Sequence, residues 1–79
     1  MHAEEVMQLV KSKIENSNVI TAGEGCNFEV TVISPVFVGL SPVKKQQLVY
    51  GCLSEHIASG AIHALTIKAY TPEQWAALN

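Results

Sequence analysis

Two residues carry most of the chemistry this chain could offer: Cys26, in the turn GEGCN, and His63, at the head of the stretch HALTIKAY. A thiol set between Gly25 and Asn27 reads as accessible, unlike a buried structural cysteine. Alone it is a free thiol, and a lone His63 is more commonly a satisfied structural imidazole than a ligand. Together they offer one thiolate and one imidazole, a donor pair that suits zinc or an iron–sulfur cluster. Two donors neither close a tetrahedral zinc site nor fill the four positions a cluster needs. A metal centre built on Cys26 and His63 must therefore be completed by another molecule, which points to an adaptor.

The remaining reactive side chains say less. His2 stands at the terminus and is given no role; His56 reads as a half-exposed imidazole on the flank of a helix. With only Cys26 and Cys52, the chain has too few cysteines for a disulfide scaffold of this size, so both read as reduced thiols. A Cys–His dyad can drive nucleophilic chemistry, but no third residue is placed to orient His63. Glycine-rich phosphate loops, G-x-S-x-G elbows and carboxylate clusters are absent from the sequence. The GEGC turn runs from strand to strand, whereas a phosphate cradle opens a helix. The expectation is a protein that is not an enzyme. Lys44 and Lys45 open a helix and could meet phosphates with its N-terminus, or could simply be a solvated pair. Five Lys, no Arg and seven Glu give a net charge of −2, which argues against a dedicated nucleic-acid binder.

The elements that must position these residues follow from periodicity. Val6, Leu9, Val10 and Ile14 recur at helical spacing and predict a helix over 4–16, stopped by Asn16-Ser17-Asn18. The β-branched run 19–22 and the alternating stretch 28–34 predict a hairpin around the glycine-rich turn, with Phe28, Val30 and Val32 on one face. The segment SPVFVGLS is expected to be a buried linker over a sheet edge. Ser41 caps a helix with Pro42 at its first position, running to about Ser59 with Gly60 as its stop. Its core stripe is expected to be Val43, Tyr50, Leu53 and Ile57, with Val49 at the edge. Lys44, Gln47, Leu48, Cys52 and Glu55 then face away. Residues 62–70 alternate as a third strand. Thr71, Pro72 and Gln74 form a capping box for a last helix anchored by Trp75 and Leu78.

The order is αββαβα: a two-layer α+β domain, a three-stranded sheet with helices on one face. At 79 residues the chain has room for one domain, 1–79, with a modest core. No apolar run approaches the roughly 20 residues of a membrane span. The start MHAEEVMQLV lacks the pattern of a secretion signal, so the cytoplasm is the expected location.

The stretch FEVTVISPVFVGLSPVKKQQLVYGCLSEHI, followed by IHALTIKAYTPEQW, resembles the BolA family, most of all its short bacterial IbaG/YrbA branch. The resemblance runs from the first helix through Trp75. It implies a fold similar to type II KH domains and partnership with a monothiol glutaredoxin. It also implies a 2Fe–2S cluster shared with the glutaredoxin cysteine and a glutathione thiol, with none in the isolated protein, which is expected to be a monomer. The family's cluster histidine, at the start of the third strand, matches His63. Its second ligand, His or Cys in the loop between the first two strands, matches Cys26. Close bacterial relatives carry His where this chain has Asn27, so the match at Cys26 is offset by one position. BolA proteins are also linked to transcription and stress responses. A KH-like nucleic-acid-binding regulator is the rival reading, although the G-x-x-G clamp loop is missing and Lys44 and Lys45 are the only phosphate contacts to offer.

Overall fold

Helix α1 (Ala3–Lys13) forms where Val6 and Val10 stack at i and i+4; both are fully buried, and Ile14 continues the stripe. Glu4 and Glu5 in its first turn and Lys11 and Lys13 in its last suit the helix dipole. The computed structural model describes residues 2–24, 27–60, 62 and 64–78. α1 ends three residues before the predicted Asn16, because Ile14 is already extended (φ −116°, ψ 113°) and Asn16 sits at φ 52°. Asn tolerates that left-handed conformation better than most residues, and here it reverses the chain into the sheet.

Strand β1 (Asn18–Glu24) pairs antiparallel with β2 (Asn27–Ile33), from Asn18↔Ile33 to Glu24↔Asn27. Strand β3 (Ala64–Tyr70) runs parallel to β2, from Asn27↔Ala64 to Ile33↔Tyr70, giving the order β1-β2-β3. β1 is longer than the apolar run predicts, and β3 begins two residues after Ile62. Phe28, Val30 and Val32 share the inner face with Val19, and Leu65, Ile67 and Ala69 pack against the same core. α1 contributes Val6 and Val10 to that core, and the long helix contributes Val49 and Leu53, so both helices cover one face, as the alternation implies. On the opposite face Thr31 and Ile33 are nonetheless buried. They sit on the central strand, with Ile20 and Lys68 flanking one and Asn18 and Tyr70 the other.

The linker departs from expectation. A short 3-10 turn, Pro35–Phe37, is capped by Ser34, whose hydroxyl accepts from the Val36 amide and donates to the Glu15 carbonyl at 2.8 Å. Of its apolar side chains only Phe37 is fully buried, beside the equally buried Ser34; Val36 and Val38 point to solvent.

Helix α2 (Pro42–Ala58) starts and stops where the sequence says. The Ser41 hydroxyl accepts from the Lys44 amide at 3.3 Å, and Gly60 takes φ +85° beyond the last turn. Its rotation about its axis is not the expected one. The buried stripe is Lys45, Val49, Cys52 and Leu53, while Val43 and Tyr50 are 65% and 49% exposed. Cys52, expected on the outer side, belongs to the core, and Leu48 is exposed as anticipated. The apolar residues at 43, 48 and 50 blur the phase of the pattern. Lys45 hides within the stripe because a four-carbon stem packs like an aliphatic residue while its ammonium reaches a partner.

That partner lies on helix α3 (Pro72–Leu78). The Gln74 carboxamide oxygen accepts from Lys45 Nζ at 2.9 Å and from the Thr71 amide at 3.0 Å, and the Gln74 amide donates to Thr71 Oγ1 at 3.1 Å. The capping box forms as the sequence predicts and also ties α3 to α2. Trp75 tilts against Tyr70 with ring centroids 5.5 Å apart, but Leu78 is 62% exposed and anchors nothing.

Candidate functional site

The end of the sheet where the hairpin turns is built from three strands at once. Glu24 and Asn27 are the last register pair of β1 and β2, and Asn27 is also the partner of Ala64, the first residue of β3. Backbones of neighbouring strands lie about 4.8 Å apart. One residue further in, Phe28 is buried opposite Leu65 and roots the row in the core. The run into β3 is pinned from the other side. Gly60, at φ +85°, donates to the Ile57 carbonyl, and the buried Ile62 donates its amide to the His56 carbonyl at 3.2 Å. Ile62 is thereby held to the last turn of α2, and the first residue of β3 to the first of β2.

Cys26 and His63, the expected donors, lie outside the described residues. Their chain neighbours are described. Cys26 immediately precedes Asn27, His63 stands between Ile62 and Ala64, and Asn27 and Ala64 are register partners. Among the described residues no group of three or more His, Cys or Glu could hold a metal ion.

The other singled-out side chains are dispersed. Cys52 donates its thiol to the Leu48 carbonyl at 3.3 Å within α2. Burial pushes the Cys52 thiol up from its ordinary value, with the Lys13 ammonium acting in the opposite sense but more weakly. Lys13 Nζ also donates to the Cys52 carbonyl at 3.5 Å, so this cysteine is a core residue bridged to α1. His56 is half-buried and lines an open groove with His2, Glu4, Glu5, Gln8 and Leu9, between α1 and the end of α2. The expected lysine pair is reduced to one exposed member. Lys44 faces solvent, whereas Lys45 is 7% exposed with its ammonium on Gln74, so it offers nothing to a phosphate. The Lys45–Gln74 bond joins residues far apart in sequence, and only the tolerance of lysine stems for apolar surroundings hinted at it. The sequence reading expected Leu48 and Cys52 as two partly exposed apolar groups on the outer side of α2 that could serve an interface; Leu48 is there, but Cys52 is buried and Val43 and Tyr50, assigned to the core, are exposed.

Among the described residues no helix is long and apolar enough to cross a membrane. A family model described as BolA-like protein matches residues 4–74. The acid stress protein IbaG of Escherichia coli is 43% identical over 76 residues, covering 96% of this chain and 90% of that protein. A solved BolA homologue from Coxiella burnetii superposes with a TM-score of 0.84 at 34% identity, covering 96% of this chain and 97% of the other. The solution structure of yeast Fra2 gives a TM-score of 0.74 at 26% identity, covering 96% of this chain and 85% of that one.

Proposed function

The chain belongs to the BolA-like protein family, and on that premise we propose that it is a non-catalytic adaptor which partners a monothiol glutaredoxin and shares a 2Fe–2S cluster with it. The role is iron–sulfur cluster trafficking or iron and redox regulation in the cytoplasm. The observation that carries this reading is the register: the chain neighbours of the thiol and of the imidazole, Asn27 and Ala64, are partners on adjacent strands. The donor chemistry fits the group, since one thiolate and one imidazole suit an iron–sulfur unit and leave its remaining positions to the partner and glutathione. The shared cluster would supply electron or cluster exchange.

His63 gives the complex its character. An imidazole ligand raises a cluster's potential relative to an all-thiolate set. It binds only when neutral, so the mixed complex loses its cluster as pH falls, at a higher pH than a glutaredoxin homodimer does.

Co-expression with a monothiol glutaredoxin tests the reading. The purified pair is expected to be brown, with a visible spectrum that changes in His63→Ala and bleaches on titration from about pH 8 to about pH 5. A spectrum and cluster stability untouched by His63→Ala would refute the ligand assignment. A complex that forms without cluster, indifferent to both Cys26 and His63, would reduce the protein to a plain interaction module.

A further inference from the structure

Helix α2 turns an apolar band to solvent that the fold itself does not use. Among the described residues, the exposed large hydrophobic side chains all fall between positions 36 and 50, apart from Ile20 and Leu78. Two grooves flank the helix and share Gln47 as a wall. One, of about 300 Å³, is lined by Val43, Tyr50 and Gly51 together with Ile67 of β3; the other, of about 370 Å³, is lined by Leu40, Lys44 and Leu48. Single apolar residues on a surface need no explanation, but here Val43, Leu48 and Tyr50 line two adjoining grooves along one helix.

Gly51 adds an independent observation. Glycine inside a helix costs about 0.5–1 kcal/mol relative to alanine. Gly51 is not among the positive-φ glycines, and a Cβ built on it would meet nothing within 4 Å. Neither conformation nor crowding within the fold calls for a glycine there. What a side chain at 51 would occupy is the groove.

Charge indicates the occupant. α1 begins with Glu4 and Glu5 and α3 with Glu73, each answering the positive end of its helix. α2, the longest helix, has no acidic residue in its first turn and carries the exposed Lys44 instead. Neither groove is lined by a carboxylate. This end of α2 is therefore locally positive on a chain whose net charge is −2. We propose that the band docks a segment of a client protein that carries two or three apolar side chains beside a carboxylate. The apolar groups lie over Val43, Tyr50 and Gly51, and the carboxylate meets Lys44 and the first turn of α2. Nucleic acid would match the charge but not the lining. The surface and the sheet end meet α2 at different points, since Gly51 and Ile57 are separated by about 9 Å of helix axis at 1.5 Å per residue.

Selecting a random peptide library on phage against the full chain tests this. Enriched peptides are expected to combine Leu, Ile or Phe with Asp or Glu, and to shift the amide resonances of 43–51. Lys44→Glu, on an exposed side chain, is expected to weaken them at least about tenfold, and Tyr50→Ala likewise. Gly51→Ala separates docking from folding: it should unfold at higher urea, yet bind the same peptides about tenfold more weakly by filling the groove. The proposal is overturned if no peptides are enriched, if basic ones are, or if binding is indifferent to Lys44→Glu. It is equally overturned if single-stranded DNA takes the same face in preference, or if those resonances shift with protein concentration alone, which would identify a second copy as the occupant.

Discussion

Adjacent in the chain, Lys44 and Lys45 have opposite fates, and the difference is measurable. Lys45 is buried with its ammonium on Gln74, so Lys45→Ala is expected to cost about 1–3 kcal/mol through lost packing and a lost charged hydrogen bond. Lys45→Met keeps the stem and should cost less, and Lys44→Ala should stay within about 0.5 kcal/mol. Urea denaturation of the three variants checks the order. Cys52 gives a second test at this scale. Burial raises its pKa above the ordinary 9.0, so the native state holds the thiol proton more tightly than the unfolded chain does. Its contribution to stability is therefore intact below about pH 9 and is lost as pH rises from there through the folded-state pKa. Urea midpoints measured from about pH 7 to about pH 10 should fall more steeply for the wild-type chain than for Cys52→Ala. Equal slopes would place the thiol in a more water-like setting than the core cluster provides. Neither residue could be placed from the sequence, because each was judged by side-chain type and an uncertain helix phase, and burial is decided by what packs from elsewhere.

At the scale of the element, what is local was readable and what is long-range was not. The Thr71-Pro72-Glu73-Gln74 run writes its own capping box, because the bonds join residues three apart. The Ser41-Pro42 start and the Gly60 stop of α2 were readable for the same reason. The rotation of α2 was not, since Val43, Leu48 and Tyr50 make the outer side nearly as apolar as the inner one. Two predictions belong here. Gln74→Ala removes an acceptor used by both the Thr71 amide and Lys45, and should cost about 1–2 kcal/mol, with faster amide exchange through α3. Gly60→Ala meets no steric obstacle, yet at φ +85° it should cost about 1–2 kcal/mol from backbone strain alone, as thermal unfolding would show. A neutral result would mean that the turn into β3 can relax to another conformation.

Across the whole molecule, the alternation of FEVTVI and the two helix starts were enough to give the αββαβα order and the covered face, and the structural relatives share that architecture. The parallel pairing of β2 and β3 is a different kind of fact. Parallel neighbours need a crossover connection, and here α2 supplies it. Asn27 and Ala64 are thus strangers along the chain, and they meet only once β3 has closed behind the crossover. β3 is an edge strand, paired only with β2. For a cluster held from β2 and β3 as proposed, letting go would require no rupture of either long helix: parting the edge strand from its neighbour would undo the grip, and re-zipping that strand would restore it.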